Sequence, residues 1–354
     1  MSLYIQHNKK LAFIISLAVL MFAGLFVALL LGSVSLPASS LYAIINPSSN
    51  ETVENSVRLI IGEIRLPRAL LAMLIGAALA ACGTVTQGLF RNPLADPSLI
   101  GVSAGASIGA TLVIAVGGSW FGFDYFAGSF WGLSSVSLGA FVCALATVML
   151  VYLLSTSHNG TSVATMLLAG IAITALAGGF TSLLEYMSDN EALRRISLWR
   201  MGGLDGATFV HVWIMFLVVV VLGAGFLRYR LALNALLLGE SEARHLGVDV
   251  QKIKIYLIIL VAIGVGVSVS IAGGIGFIGL IVPHIMRLVI GPDHRYLLPA
   301  SLVAGALLLL LADTVARTVI APVEIPVGII TALIGAPFFM SLLRKRHQYG
   351  MQGG

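Results

Sequence analysis

Residues 63–110 read EIRLPRALLAMLIGAALAACGTVTQGLFRNPLADPSLIGVSAGASIGA. Two apolar stretches, each at or near the length a bilayer asks of a helix, are joined by the short polar hinge RNPLADPS. Arg65 and Arg68 stand before the first stretch, at its boundary with water. Charge kept at such a boundary serves to dock something.

The rest of the chain supports a membrane reading. Of 354 residues, 58% are hydrophobic and 10% charged, and the mean hydropathy is +1.02. A soluble domain of this size needs far more charge to cover its surface, whereas lipid-facing helices need almost none. The 39 glycines fit the same class, because small residues let membrane helices approach closely. Cys82 and Cys143 fall within apolar runs and read as small core residues, with no metal site expected.

Long apolar runs lie near 11–32, 66–88, 98–117, 134–155, 163–185, 208–227, 253–272, 277–290, 297–317 and 326–343. The expectation is an all-α integral membrane protein of about ten transmembrane helices in one bundle, filling 1–354 as a single domain. The first run is too long for a removed signal peptide and lacks a small-residue cleavage site. Lysine and arginine favour cytoplasmic loops, and Lys9, Lys10, Arg344, Lys345 and Arg346 flank the outermost runs. Both termini are therefore expected in the cytoplasm. The same phase puts Arg228, Arg230, Arg244, Lys252 and Lys254 inside, and Arg58, Arg65, Arg68, Arg194, Arg195, Arg200 and Arg317 outside. The outer set runs against the rule and asks for a reason other than insertion.

Three local patterns add detail. Gly101, Gly105 and Gly109 repeat every four residues and form one stripe for a close helix crossing. In SIAGGIGFIGLIVPHIMRLVI, residues 270–290, clustered glycines and Pro283 predict a broken or kinked helix beside a conduit. From Leu227 to Lys254, leucines alternate with Glu240, Glu242, Arg244 and His245 and stop at Gly247, the pattern of one short amphipathic helix closed by a glycine cap. Such a helix either lies on lipid headgroups or is a lever for a cytoplasmic partner; its two glutamates weigh against anionic lipid.

These segments together resemble a known family. IRLPR at 64–68, RNPLADPSLIGVSAGA at 91–106, LLAGIAI at 167–173, LGESEARHLGV at 238–248, GFIGLIVPHIMRL at 276–288, DHRYLLPAS at 293–301, LADTVAR at 311–317 and EIPVGIITALIGAPFF at 324–339 are similar to the permease subunits of type II ABC importers for iron chelates and cobalamin. The resemblance covers nearly the whole chain. It implies a homodimer in the bacterial inner membrane, two cytoplasmic ATPase subunits that handle ATP and magnesium, and a periplasmic binding protein; no nucleic acid is expected. The chain itself binds no cofactor and is not an enzyme on this reading, and it carries no GxxxxGK[ST] phosphate loop.

Residue by residue, the family's binding-protein contacts map onto Arg65, Arg68 and Arg317. Its coupling loop maps onto about 228–252, with Glu240, Ala243, Leu246 and Gly247 as the ATPase contacts. Thr161, Ser162 and Thr165 would sit at the cytoplasmic gate. A periplasmic gate segment at about 186–208 would bring Arg194, Arg195, Trp199 and Met201 to the path. The stretch SDNEALRRISLWRMGGLDGA is similar to its counterpart in haem importers and favours haem as substrate, with siderophores and cobalamin still open. An ion-coupled carrier would need a membrane carboxylate; Asp313 stands one helical turn from Arg317, so an internal ion pair explains it more simply. No HExxH or GxSxG motif supports an intramembrane enzyme.

Overall fold

The computed structural model describes residues 2–32, 57–117, 135–157 and 160–350. Helix α1 spans Ser2–Leu30. A π-helical turn at Ile60–Arg65 leads without a break into α2, Leu66–Leu89, with Pro67 just after the junction. Then come α3 (Val102–Gly117), α4 (Ser135–Ser155), a two-stranded hairpin of β1 (Thr156–Ser157) and β2 (Gly160–Thr161), and α5 (Val163–Met187). The chain continues as α6 (Asn190–Met201), α7 (Phe209–Arg228), α8 (Arg230–Leu238), α9 (Glu240–His245), α10 (Val250–Ala272), α11 (Ile278–Ile290), α12 (His294–Thr318) and α13 (Val327–Gly350).

Seven of the described helices are long and apolar enough to cross a membrane, and three shorter apolar helices correspond to α3, α11 and α13. Each run expected from the sequence is occupied by one of them. The axis of the bundle is α2: 89% of its most apolar window is buried, and α7, α10, α11 and α12 pack around it. Small residues make this possible. A methyl at Gly76 would sit 2.2 Å from the Gly305 carbonyl oxygen, so α2 and α12 touch backbone to backbone. The expected glycine stripe works in the same way, since a methyl at Gly109 would sit 2.1 Å from the Gly139 oxygen where α3 crosses α4.

The interruption after α10 falls at Gly273–Phe277, where Gly273 and Phe277 both adopt positive φ, 67° and 68°. Pro283, in contrast, stays inside α11 without ending it. A proline removes the N–H that would bond the carbonyl four residues earlier, here Gly279. The Gln87 side chain of α2 supplies a donor instead, with Nε2 3.5 Å from Gly279 O and 3.1 Å from Leu280 O. A buried glutamine thus repairs an apolar helix at depth.

The amphipathic segment after α7 forms two helices and not the expected one, because Gly239 at φ 135° turns the chain between α8 and α9. Asn234 of α8 fixes this region to α12 by donating from Nδ2 to Asp293 (2.6 Å) and accepting the His294 N–H (2.9 Å). His7 of α1 meets the Tyr296 hydroxyl at 2.5 Å, and Lys10 lies over the same ring. The start of α1 therefore shares an end of the bundle with α8 and α9. The side chains of Lys345 and Arg346 lie outside the described residues.

Candidate functional site

The residues singled out by the sequence gather at the two ends of the bundle. At one end, the π-helical turn and α2 deliver Arg65 and Arg68, and the last turn of α12 delivers Arg317. The three guanidinium groups come together, but they are not open pads: the residues are only 4%, 8% and 3% exposed. Arg68 reaches Asp313 with Nε and Nη2, both 3.0 Å from Oδ1. Its Nη1 meets Glu324 at 2.5 Å and Asp205 at 3.1 Å. Arg317 holds the other oxygen of Asp313 at 3.1 Å and donates to Ala28 O at 3.3 Å. Arg65 donates to the carbonyls of Leu29 and Leu30, at 2.8 and 2.7 Å, which tie it to the end of α1.

The burial of these arginines has a physical reason. A guanidinium in a low-dielectric bundle must be paired, so Asp313, Glu324 and Asp205 face it. Their side chains differ in access to water, being 0%, 31% and 74% exposed. Asp313 is the buried anchor, whereas Glu324 and Asp205 are the outer partners. A cavity of about 150 Å³ opens between Gly32, Arg65, Arg68, Arg317 and Glu324.

At the opposite end, Ala243 of α9 is fully buried while Leu246 is 65% exposed. Leu238, at the end of α8, is also exposed, so two apolar side chains project from the turn that carries Glu240. Gly247 takes φ 81° with open space around it and caps α9, its N–H bonded to Arg244 O. Glu240 is half-buried and forms an ion pair with Lys254 at 2.6 Å. Lys254 also reaches Thr161 O at 3.3 Å, so the predicted coupling residue and the predicted gate residue meet through one side chain.

Thr161 is buried, and its hydroxyl pairs with that of Thr156 at 3.0 Å across the hairpin. Ser162 caps α5 by accepting from the Thr165 N–H (3.3 Å) and hydroxyl (3.1 Å). Arg194, Arg195, Trp199 and Met201 lie on α6 at the far end of α5. Arg194 and Arg195 are exposed, Met201 is exposed and Trp199 is partly buried. The C-terminal turn of α6 rests on the interruption after α10: Gly203 N–H bonds Ala272 O at 2.9 Å, and a methyl at Gly273 would sit 2.1 Å from Trp199 O.

Two clefts lie between these ends. A cavity of about 430 Å³ lies between the hinge at Asp96–Ser98, Ser103 of α3 and the loop at Gly274–Phe277. A second, of about 280 Å³, is lined by Ser107, Thr174, Thr181, Ser182 and Arg200. Both touch α3, and the second opens on α5, of whose most apolar window only 17% is buried. Sequence reading missed Asp205, Glu324 and Gln251 as partners. It set Lys254 at the cytoplasmic start of an apolar run and gave it no partner, although the buried stripe Val250, Lys254, Leu257, Val261 and Val265 includes it at helical spacing.

The described helices form a multi-pass bundle with the fold of an ABC importer permease. The chain belongs to the FecCD transport family, whose model matches residues 19–345. It is 43% identical to the hemin transport system permease protein HmuU of Yersinia pestis, over 97% of this chain and 98% of that one. It is 46% identical to the cobalamin import system permease protein BtuC of Halobacterium salinarum, over 83% and 76% of the two chains. Its structure is similar to that of a metal-chelate type ABC transporter solved in an inward-facing conformation, with a TM-score of 0.80, 34% identity and coverage of 94% and 99%. It is thus a multi-pass membrane permease for haem, cobalamin or iron chelates, and in such transporters ATP hydrolysis lies in separate subunits.

Proposed function

We propose that this chain is the membrane subunit of a haem importer of the bacterial inner membrane, working as a homodimer with two ATPase subunits and a periplasmic binding protein. The observation that carries the haem reading is end-to-end similarity to a hemin permease, 98% of which is aligned. The chemistry of α6 supports it. Arg194 and Arg195 can meet two propionates, and Trp199 and Met201 can pass a broad apolar ring. No strong axial ligand is needed in a conduit, because a tightly held cargo would not leave.

In this reading the binding protein docks where Arg65, Arg68 and Arg317 gather, its carboxylates taking the places of Asp205 and Glu324 on Arg68. Arginine suits the exchange because its planar fork holds more than one carboxylate at once. In the same reading Leu238 and Leu246 project from the elbow toward the ATPase, and both termini lie in the cytoplasm. The open face of α5 is left for the second copy, with Thr165, Gly178, Gly179 and Ser182 exposed along it.

The test is ATP hydrolysis by the reconstituted complex in proteoliposomes, comparing haem, a ferric siderophore and cobalamin, each with its candidate binding protein. Haem is expected to stimulate hydrolysis and to accumulate inside. Stimulation by cobalamin or a siderophore alone would replace haem as cargo. Uptake driven by an ion gradient without ATPase subunits would replace the importer reading.

A further inference from the structure

Lys254 is a charged side chain held where charge is costly. It is 2% exposed and projects from the first turns of α10 in line with apolar residues. Its ammonium is satisfied from two directions, by Glu240 of α9 at 2.6 Å and by the backbone carbonyl of Thr161 at 3.3 Å. Three residues earlier on the same face, Gln251 Oε1 accepts the Thr161 N–H at 3.0 Å. The hairpin is shaped to receive it: a methyl at Gly160, φ 104°, would lie 2.3 Å from Gln251 Nε2. Both backbone groups of Thr161 are thus gripped by α10, and the grip is joined to α9 by an ion pair.

We propose that Lys254 and Gln251 are the positioning residues that transmit movement of α9 to the β1–β2 hairpin, so that the power stroke at the elbow reaches the gate through this clamp. The inference rests on the reading of α9 as the ATPase contact and of the hairpin as the gate. Its physical basis is an asymmetry. A packed apolar contact slides at little cost, whereas drawing Glu240 away from Lys254 strands the buried charge of the lysine. When Glu240 moves, Lys254 follows it or loses its counter-ion, and Thr161 O is attached to the same nitrogen. The neighbouring Lys252 has no such role, because it is exposed and pairs with Asp249 on its own helix turn.

The experiment uses the full complex of permease, ATPase subunits and binding protein in nanodiscs. Cys82 and Cys143 are replaced by alanine, and a reporter cysteine is placed at Ser157 in the hairpin. The rate of maleimide labelling is read with and without ATP, beside the rate of ATP hydrolysis. Without further substitution the labelling rate is expected to change about tenfold on adding ATP, within the range of ordinary coupling energies. In Lys254→Met that change should collapse to less than about twofold while ATP is still hydrolysed, the separation expected of a lost linkage. Gln251→Leu, which removes no charge, should weaken the response in the same direction and serves if Lys254→Met assembles poorly. The exchange Glu240→Lys with Lys254→Glu should recover it, which a merely structural lysine would not allow. A full ATP-dependent response in both Lys254→Met and Gln251→Leu overturns the clamp. An unresponsive hairpin in the unsubstituted complex overturns instead the reading of the elbow and the gate on which it stands.

Discussion

Arg68 and Asp313, 245 positions apart, meet through two guanidinium nitrogens, each 3.0 Å from the same carboxylate oxygen. The other oxygen of Asp313 holds Arg317, so one fully buried carboxylate is shared by two arginines from different helices. Removing it leaves both facing each other. Breaking a buried pair from one side costs about 3–5 kcal/mol, and Asp313→Ala is expected to lose that much stability. The readout is thermal unfolding of the detergent-solubilised permease. Combining Asp313→Leu with Arg68→Met should recover part of the loss, since it removes charges from both sides. An Asp313→Ala protein that melts with the unsubstituted one would show that the cluster does not hold α2 to α12.

The outer carboxylates of the cluster behave differently. Asp205 is 74% exposed and shares Arg68 Nη1 with Glu324, so Asp205→Asn uncovers no buried charge. With one partner in water the pair is worth about 1 kcal/mol or less, and releasing it should tighten binding-protein association by up to about fivefold. Arg68→Glu should abolish association. Surface plasmon resonance on nanodisc-held permease, at low and high salt, distinguishes the two. If Asp205→Asn weakened association, Asp205 would be a contact of the partner and not its competitor.

Much of this was legible in the sequence, for reasons that differ by residue. The span positions follow from apolar length alone, which tertiary context cannot override in lipid. The Asp313–Arg317 pair was legible because four residues along a helix bring side chains together. Asp205 and Glu324 were not, because they reach Arg68 from loops more than a hundred residues away and nothing local marks them. Gln87 was hidden for a related reason: the carbonyl left by Pro283 is visible in the sequence, but the donor that answers it is on another helix. Lys254 was in principle readable. Its spacing with Val250, Leu257 and Val261 set it in a buried stripe, and a lysine there requires an acidic partner.

Leu238 and Leu246, 67% and 65% exposed, stand on either side of α9. Apolar side chains of that size standing free at an elbow are the centre of a docking patch once a partner covers them. Leu246→Asp should lower co-purification of the ATPase by about tenfold or more, as desolvating a carboxylate in an apolar contact requires. The permease alone should melt unchanged, because Leu246 contributes little to its own core. Undiminished co-purification would move the ATPase contact away from α9.

The crossing of α3 on α4 offers a test of packing without charge. A methyl added at Gly109 would stand 2.1 Å from Gly139 O and 2.8 Å from the Cys143 side chain, so one helix must move to admit it. Backbone oxygen cannot rotate away as a side chain can, and overpacking of this kind costs about 1–3 kcal/mol. Gly109→Ala is therefore expected to lower the melting temperature, and Gly109→Val to lower it further. Gly178 is the control: nothing lies within 4 Å of a methyl built there, on the open face of α5. Gly178→Ala should leave the melting of the separate subunit unaffected. If α5 meets a second copy in the assembly, the same substitution should weaken the dimer, which is read as a shift toward monomer in light scattering of the detergent-solubilised protein.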